Sequence, residues 1–235
     1  MSQNSFFDDF LHQQDDVHRH LLESAELAER QGLAPDTTVT KRQGGYVFFL
    51  RPSVQVVKLI DSLSSQLVLF AGMKPYYGGQ LYVPLYACRE SDNFSLPNDH
   101  TFVLDALRRI VQACHHQIRI EKKSPTILWK QFVLTNTELF LCGRIDLSFS
   151  RACRFLERAT EEYGLGGSIH WNASVKVGYS TLQCGRGLVA HIRELLKYFD
   201  TLLPSNVQTF SSIGVGWFGQ GERIYGLHTL EEYQL

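Results

Sequence analysis

The feature that most constrains this chain is an order of elements that occurs twice. In the first half Tyr46–Leu50 reads as a strand, Ser53 as a helix cap, and Val54–Leu67 as a helix striped by Val56, Val57, Ile60, Leu63 and Leu67. Gln80–Cys88 then reads as a strand and Asp99–Cys114 as a helix. In the second half the same order returns: Leu141–Leu147 as strand, Ser148 as cap, Phe149–Tyr163 as helix, Ile169–Gly178 as strand and Leu188–Leu203 as helix. Gln117–Glu121, Lys130–Leu134, Phe210–Phe218 and Arg223–Leu227 supply further strands, which complete two antiparallel sheets. The glycines at 214, 216, 219 and 221 fit a hairpin bend near Phe218–Gly221 and not a phosphate loop, because no strand-to-helix step follows them.

Ahead of the repeat, residues 1–32 read as a helix through the spacing of Phe10, Leu11, Val17, Leu21, Leu22, Ala25 and Ala28. Residues 33–45 read as a linker broken by Pro35 and Gly44-Gly45. The expected division is therefore 1–45, N-terminal helix and linker, and 46–235, a bilobal domain. Residues 1–40 hold eight acids and two bases, a net −6, and residues 41–235 hold sixteen acids and twenty-one bases, a net +5. A mildly basic body suits a short stretch of phosphate backbone, whereas the overall −1 argues against a protein that coats nucleic acid. The five cysteines lack any Cys-x-x-Cys spacing, which suits free thiols in a reducing compartment. Cys114-His115-His116 is the nearest approach to a metal cluster, and adjacent residues at a helix end do not converge on one ion, so no metal site is expected. No apolar run reaches the roughly 20 residues of a membrane span, and the polar start is unlike a signal peptide, so the chain reads as intracellular with no membrane partner.

Ser168–Tyr179, SIHWNASVKVGY, sets His170, Asn172, Ser174 and Lys176 on one face of a strand and Ile169, Trp171, Ala173, Val175 and Val177 on the other. A histidine with a hydrogen-bonding residue two positions on can do acid–base chemistry on a phosphodiester if a second strand faces it. An ordinary half-exposed strand histidine is the alternative reading of His170.

These elements resemble the two-histidine (2H) phosphoesterase superfamily, and within it the U6 snRNA phosphodiesterase family. Ser168–Gly178 is similar to that family's second motif without a gap: its histidine falls on His170 and its serine on Asn172, whose amide can still donate to a phosphate oxygen. Phe132–Glu138 and Ile213–Leu227 are similar to two further short segments. The resemblance implies an α+β fold of two pseudo-symmetric lobes, with antiparallel sheets facing a central cleft and helices outside. In the first lobe Gly79–Leu85, GQLYVPL, stands where the family has its other histidine, so Gln80 or Tyr82 replaces it, depending on a two-residue register.

For an intact member the resemblance implies transesterification without metal or cofactor. One histidine takes the proton of a ribose 2′-hydroxyl and the other protonates the departing 5′-oxygen. Imidazole suits both tasks near neutrality; glutamine does not titrate, and a phenol near pKa 10 is a poor base at pH 7. Lys176 lies about 20 Å along the strand from His170, too far to share one phosphate, and His100 reaches the cleft only if its loop folds back. The expected function is an RNA 3′-end phosphodiesterase with reduced or altered catalysis, His170 catalytic, and Asn172, Gln80 and Tyr82 binding substrate. The alternative is a catalytically dead RNA-binding or scaffold protein that uses Tyr76, Tyr77 and Tyr86 for stacking. The implied partner is a uridine-rich RNA 3′ end and the implied address is nuclear. A third reading is a protein-interaction domain whose N-terminal amphipathic helix docks a partner.

Overall fold

The computed structural model describes residues 3–36, 44–91, 101–171, 173–219 and 227–235. In chain order the elements are α1 (Gln3–Gln31), β1 (Gly44–Arg51), α2 (Val54–Leu67), β2 (Met73–Pro75), a 3₁₀ turn (Gly78–Gln80), β3 (Val83–Ser91) and α3 (Thr101–Glu121). There follow β4 (Thr126–Leu134), β5 (Glu138–Ile145), α4 (Leu147–Glu162), β6 (Gly167–Ile169), β7 (Ser174–Ser180), α5 (Arg186–Thr201), β8 (Gln208–Thr209), β9 (Ser212–Gly219) and β10 (His228–Gln234). The fold is α+β, with two five-stranded antiparallel sheets in the orders β10-β9-β1-β3-β6 and β2-β7-β5-β4-β8.

The two lobes exchange strands. β2 belongs by sequence to the first half yet pairs with β7, Pro75 facing Gly178, while β6 belongs to the second half yet pairs with β3, Ile169 facing Tyr86. The helices follow the same exchange: α2 packs with β2, β7 and α5, and α4 packs with β6, β3 and α3. A single buried cluster runs through both lobes, from Phe48, Leu50 and Leu85 to Leu141, Val175 and Val177. One expected strand, Ile169–Gly178, is thus two, β6 and β7, because its two ends pair in different sheets.

Three other expectations change. Gln117–Glu121 is the end of α3 and not a strand, since Ile118 extends the buried stripe of Ile110, Val111 and Cys114 by one turn. The cap of α4 is Asp146 and not Ser148; its carboxylate accepts from the Phe149 amide at 3.0 Å and from the Thr126 amide at 3.2 Å. β3 begins at Val83, because Gly78–Gln80 turns instead of extending. Ser53 does cap α2, accepting from the Val56 amide. Residues 223–226 of the expected Arg223–Leu227 strand, the bend at 220–221, His100 and Asn172 lie outside the described residues.

α1 lies against the second sheet. Its buried stripe is Phe10, Gln14, Ala25 and Ala28, and Leu21 and Ala25 pack on Val133, Phe140 and Cys142. Phe140 and Cys142 pair with Lys176 and Ser174, so this is the sheet face opposite Leu141 and Val175. Residues 33–36 continue the attachment: Leu33 bridges Cys184, and the Ala34 and Asp36 amides donate to the Asn136 and Ser180 carbonyls. Leu22 and Leu27 remain on the outer side. The apolar stripe of α1 is therefore occupied within the chain.

Candidate active site

His170 follows β6 at the point where the chain crosses between sheets, and its amide donates to the Leu85 carbonyl at 3.1 Å. The matching amide in the other lobe is Tyr76, which donates to the Val177 carbonyl at 2.8 Å just after β2. Pairing of Ile169 with Tyr86 and of Pro75 with Gly178 makes these places equivalent. Nine positions then separate Tyr76 from Leu85 against seven from His170 to Val177, and the 3₁₀ turn takes up the difference. Counting forward from β2 makes Tyr76 the counterpart of His170; counting back from β3 makes it Gly78. By this count the residues at the place of the His170 amide are Tyr76 or Gly78, and Gln80 and Tyr82 lie beyond it on the same connection to β3.

His170 is half-buried, and desolvation holds its imidazole below the usual histidine range, with Glu90 acting in the opposite sense. The ring is consequently neutral at pH 7, the form a general base requires. Its neighbour Trp171 packs against α1, with its ring centroid 5.1 Å from Phe10 and 6.4 Å from Phe6.

On the first-lobe side, Arg51 organises the turn. Its guanidinium donates to the Gly79 carbonyl at 2.5 Å, the Leu81 carbonyl at 3.1 Å and the Thr229 hydroxyl at 3.0 Å. It also pairs with Glu232 at 3.4 Å and lies 4.5 Å above the Phe49 ring. Tyr82 packs on the same Phe49 ring at 5.8 Å, and burial pushes its phenol up to about 12 despite the nearby Arg51 charge. A phenol so placed can donate a hydrogen bond and is no base at neutral pH. Gln80 is exposed, and its side-chain oxygen accepts from the Tyr77 amide at 3.3 Å.

Of the three tyrosines that sequence offers for stacking, Tyr76 and Tyr86 are buried and Tyr77 is exposed. Tyr76 instead packs on Tyr179, ring centroids 5.7 Å apart. Lys176 is paired with Glu138 and lies 3.8 Å from Asp36, and burial pulls its pKa down while pushing that of Glu138 up. It is part of the attachment of residues 33–36, a role its strand position alone did not reveal. The hydrogen bonding of Arg51 was equally illegible, because its partners come from two segments far apart in the chain, 79–81 and 229–232.

All five cysteines are free thiols. Among the described residues no group of His, Cys, Asp and Glu is arranged to hold a metal ion, and no helix is long and apolar enough to cross a membrane.

No protein-family model matches the sequence, and no curated protein matches it. Among solved structures, that of TT0787 of Thermus thermophilus is similar with a TM-score of 0.48 at 12% identity, over 81% of this chain and 97% of that one. Usb1 of Kluyveromyces marxianus is similar with a TM-score of 0.38 at 12% identity, over 82% of this chain and 99% of that one. The structure of the same protein with uridine monophosphate is similar with a TM-score of 0.38 at 16% identity, over 82% and 99% of the two chains.

Proposed function

We propose that this chain is an RNA 3′-end phosphodiesterase-like protein of the two-histidine type in which one imidazole, His170, works alone and catalysis is correspondingly reduced. The observation that carries this reading is the strand exchange. It gives the two lobes equivalent crossing points, one bearing His170 and the other Tyr76. The sequence likeness of Ser168–Gly178 to the U6 snRNA phosphodiesterase motif supplies the substrate class, a uridine-rich 3′ end, and with it a nuclear setting.

In this reading neutral His170 takes the proton of a ribose 2′-hydroxyl as that oxygen attacks phosphorus. The bond to the 5′-oxygen breaks, the leaving oxygen takes a proton from water, and a 2′,3′-cyclic phosphate remains. Absence of a positioned acid costs about 10² to 10⁴ in rate. Asn172, Gln80 and Tyr82 are proposed to hold the terminal nucleotide, and Tyr77 offers an exposed ring for stacking.

The second reading is a catalytically dead RNA-binding protein, favoured by the buried phenol at the Tyr76 position. Incubation with a 3′-oligouridine RNA ending in a 2′,3′-diol separates the two readings. Slow shortening that disappears in His170→Ala supports the enzyme; tight binding without shortening supports the dead protein. An RNA that neither binds nor shortens overturns both.

A further inference from the structure

A cleft of about 430 Å³ opens between α3 and α4, on the helical side of the molecule, with Phe6 of α1 at its rim. Its charged lining consists of Lys123, Arg151, Arg154 and Arg158 against Glu121 and Glu162, an excess of two positive charges in a chain whose net charge is −1. Arg151, Arg154 and Arg158 recur at helical spacing, so their guanidinium groups share one side of α4. Arg154 lies 4.8 Å above the Phe6 ring and pairs with Glu157 at 2.7 Å, while Arg151 meets Glu121 only at 3.6 Å. Between the charges the lining is apolar: Cys114, Ile118 and Ala152 are buried and Phe155 is half-buried.

We propose that this cleft is a second binding site, for a nucleoside monophosphate unit, with the phosphate held by Arg154 and Arg158 and the flat base laid against Phe6 and Phe155. Guanidinium groups suit phosphate because their forked donors match its oxygens. Aromatic and apolar walls suit any base, since stacking does not read hydrogen-bonding edges. The volume falls within the range of small-molecule sites, about 300 to 1,000 Å³. His170 is not among the lining residues, and the proposal stands whether or not the chain cleaves RNA. The nucleotide can be free or the 5′-phosphorylated end of a longer strand, and the chemistry recognised is the same.

Titration calorimetry on the full chain with uridine 5′-monophosphate, adenosine 5′-monophosphate, uridine and inorganic phosphate tests the site. Both nucleotides are expected to bind with similar affinity, and uridine and phosphate alone much more weakly. Arg158→Gln, at an exposed position, and the pair Arg154→Gln with Arg158→Gln should weaken nucleotide binding roughly tenfold or more, given the strength of charge-assisted hydrogen bonds. Arg158→Lys should retain most of it. Competition by a 5′-phosphorylated oligouridine but not by its unphosphorylated form identifies an RNA end as a source; no competition by either identifies the free nucleotide. Nucleotide binding that is absent, or that survives the double substitution in a protein of unchanged melting temperature, overturns the proposal.

Discussion

Tyr76 and His170 occupy equivalent places: each amide follows a three-residue strand that has joined the other lobe's sheet, and each donates to the carbonyl of a core residue there, Val177 and Leu85. One place presents an imidazole that is neutral at pH 7 and the other a buried phenol. The asymmetry of chemistry within a symmetric backbone underlies the predictions that follow.

The first concerns pH. Burial lowers the folded-state pKa of His170 from the ordinary histidine value of 6.5, so below that pH the unfolded chain binds a proton that the folded chain refuses. The stability contributed by the neutral ring is complete above about pH 6.5 and is lost as pH falls through the lower folded value. Urea midpoints measured between pH 7 and 5 should therefore fall more steeply for the wild type than for His170→Gln. Equal slopes would show that the ring is not desolvated.

Gly167 tests the strand exchange. A Cβ there would lie 2.1 Å from the Ala87 carbonyl oxygen and 2.9 Å from the Cys88 Cα, whereas one at Gly166 meets nothing within 4 Å. Gly167→Ala should cost about 1 to 3 kcal/mol through overpacking against backbone, and Gly166→Ala little. Chemical denaturation of the two variants reads the difference, and equal stabilities would place β6 elsewhere.

Arg51 tests the first-lobe turn. Its side chain is 12% exposed and holds the Gly79 and Leu81 carbonyls together with Glu232. Arg51→Met removes these charge-assisted hydrogen bonds, so the expected loss is about 1 to 3 kcal/mol. Proteolysis of the variant should begin between residues 76 and 82. A variant that resists protease like the wild type would contradict the role given to Arg51.

For α1 the contrast is between Phe10, fully buried against Phe149 and Trp171, and Leu22, 40% exposed. Phe10→Ala should cost about 3 to 5 kcal/mol and Leu22→Ala under 1 kcal/mol, roughly the usual surface effect. Thermal melts of the two variants check this. A large loss for Leu22→Ala with none for Phe10→Ala would mean that α1 presents its other side to the sheet.

The helices α2, α4 and α5 were legible to within about two residues, because stripes such as Val56, Ile60, Leu63 and Leu67 repeat at helical period. The strand exchange was not. Alternation continues in the sequence from Ile169 to Val177 as if one strand ran through, although β6 pairs with β3 and β7 with β5 in the other sheet. β2 has only three residues, Met73–Pro75, followed by Tyr-Tyr-Gly-Gly, and is too short to register as a period. β10 hides for another reason: His228–Gln234 carries two acids and a histidine, and its place is set by long-range partners, β9 in the sheet and Arg51 and His115 beside it. Of the candidate site, His170 stands out in the sequence through the alternation around it, and Arg51 does not, because long-range hydrogen bonds leave no local pattern.

The most direct test of the account is the pH dependence of kcat/KM for shortening a 3′-oligouridine RNA by the wild-type protein, beside His170→Ala. A lone base predicts slow shortening that rises with pH along a single limb to a plateau, with an apparent pKa below 6.5, and that vanishes in the variant. A bell-shaped profile, which requires a second titrating group, or a rate untouched by His170→Ala, would contradict it.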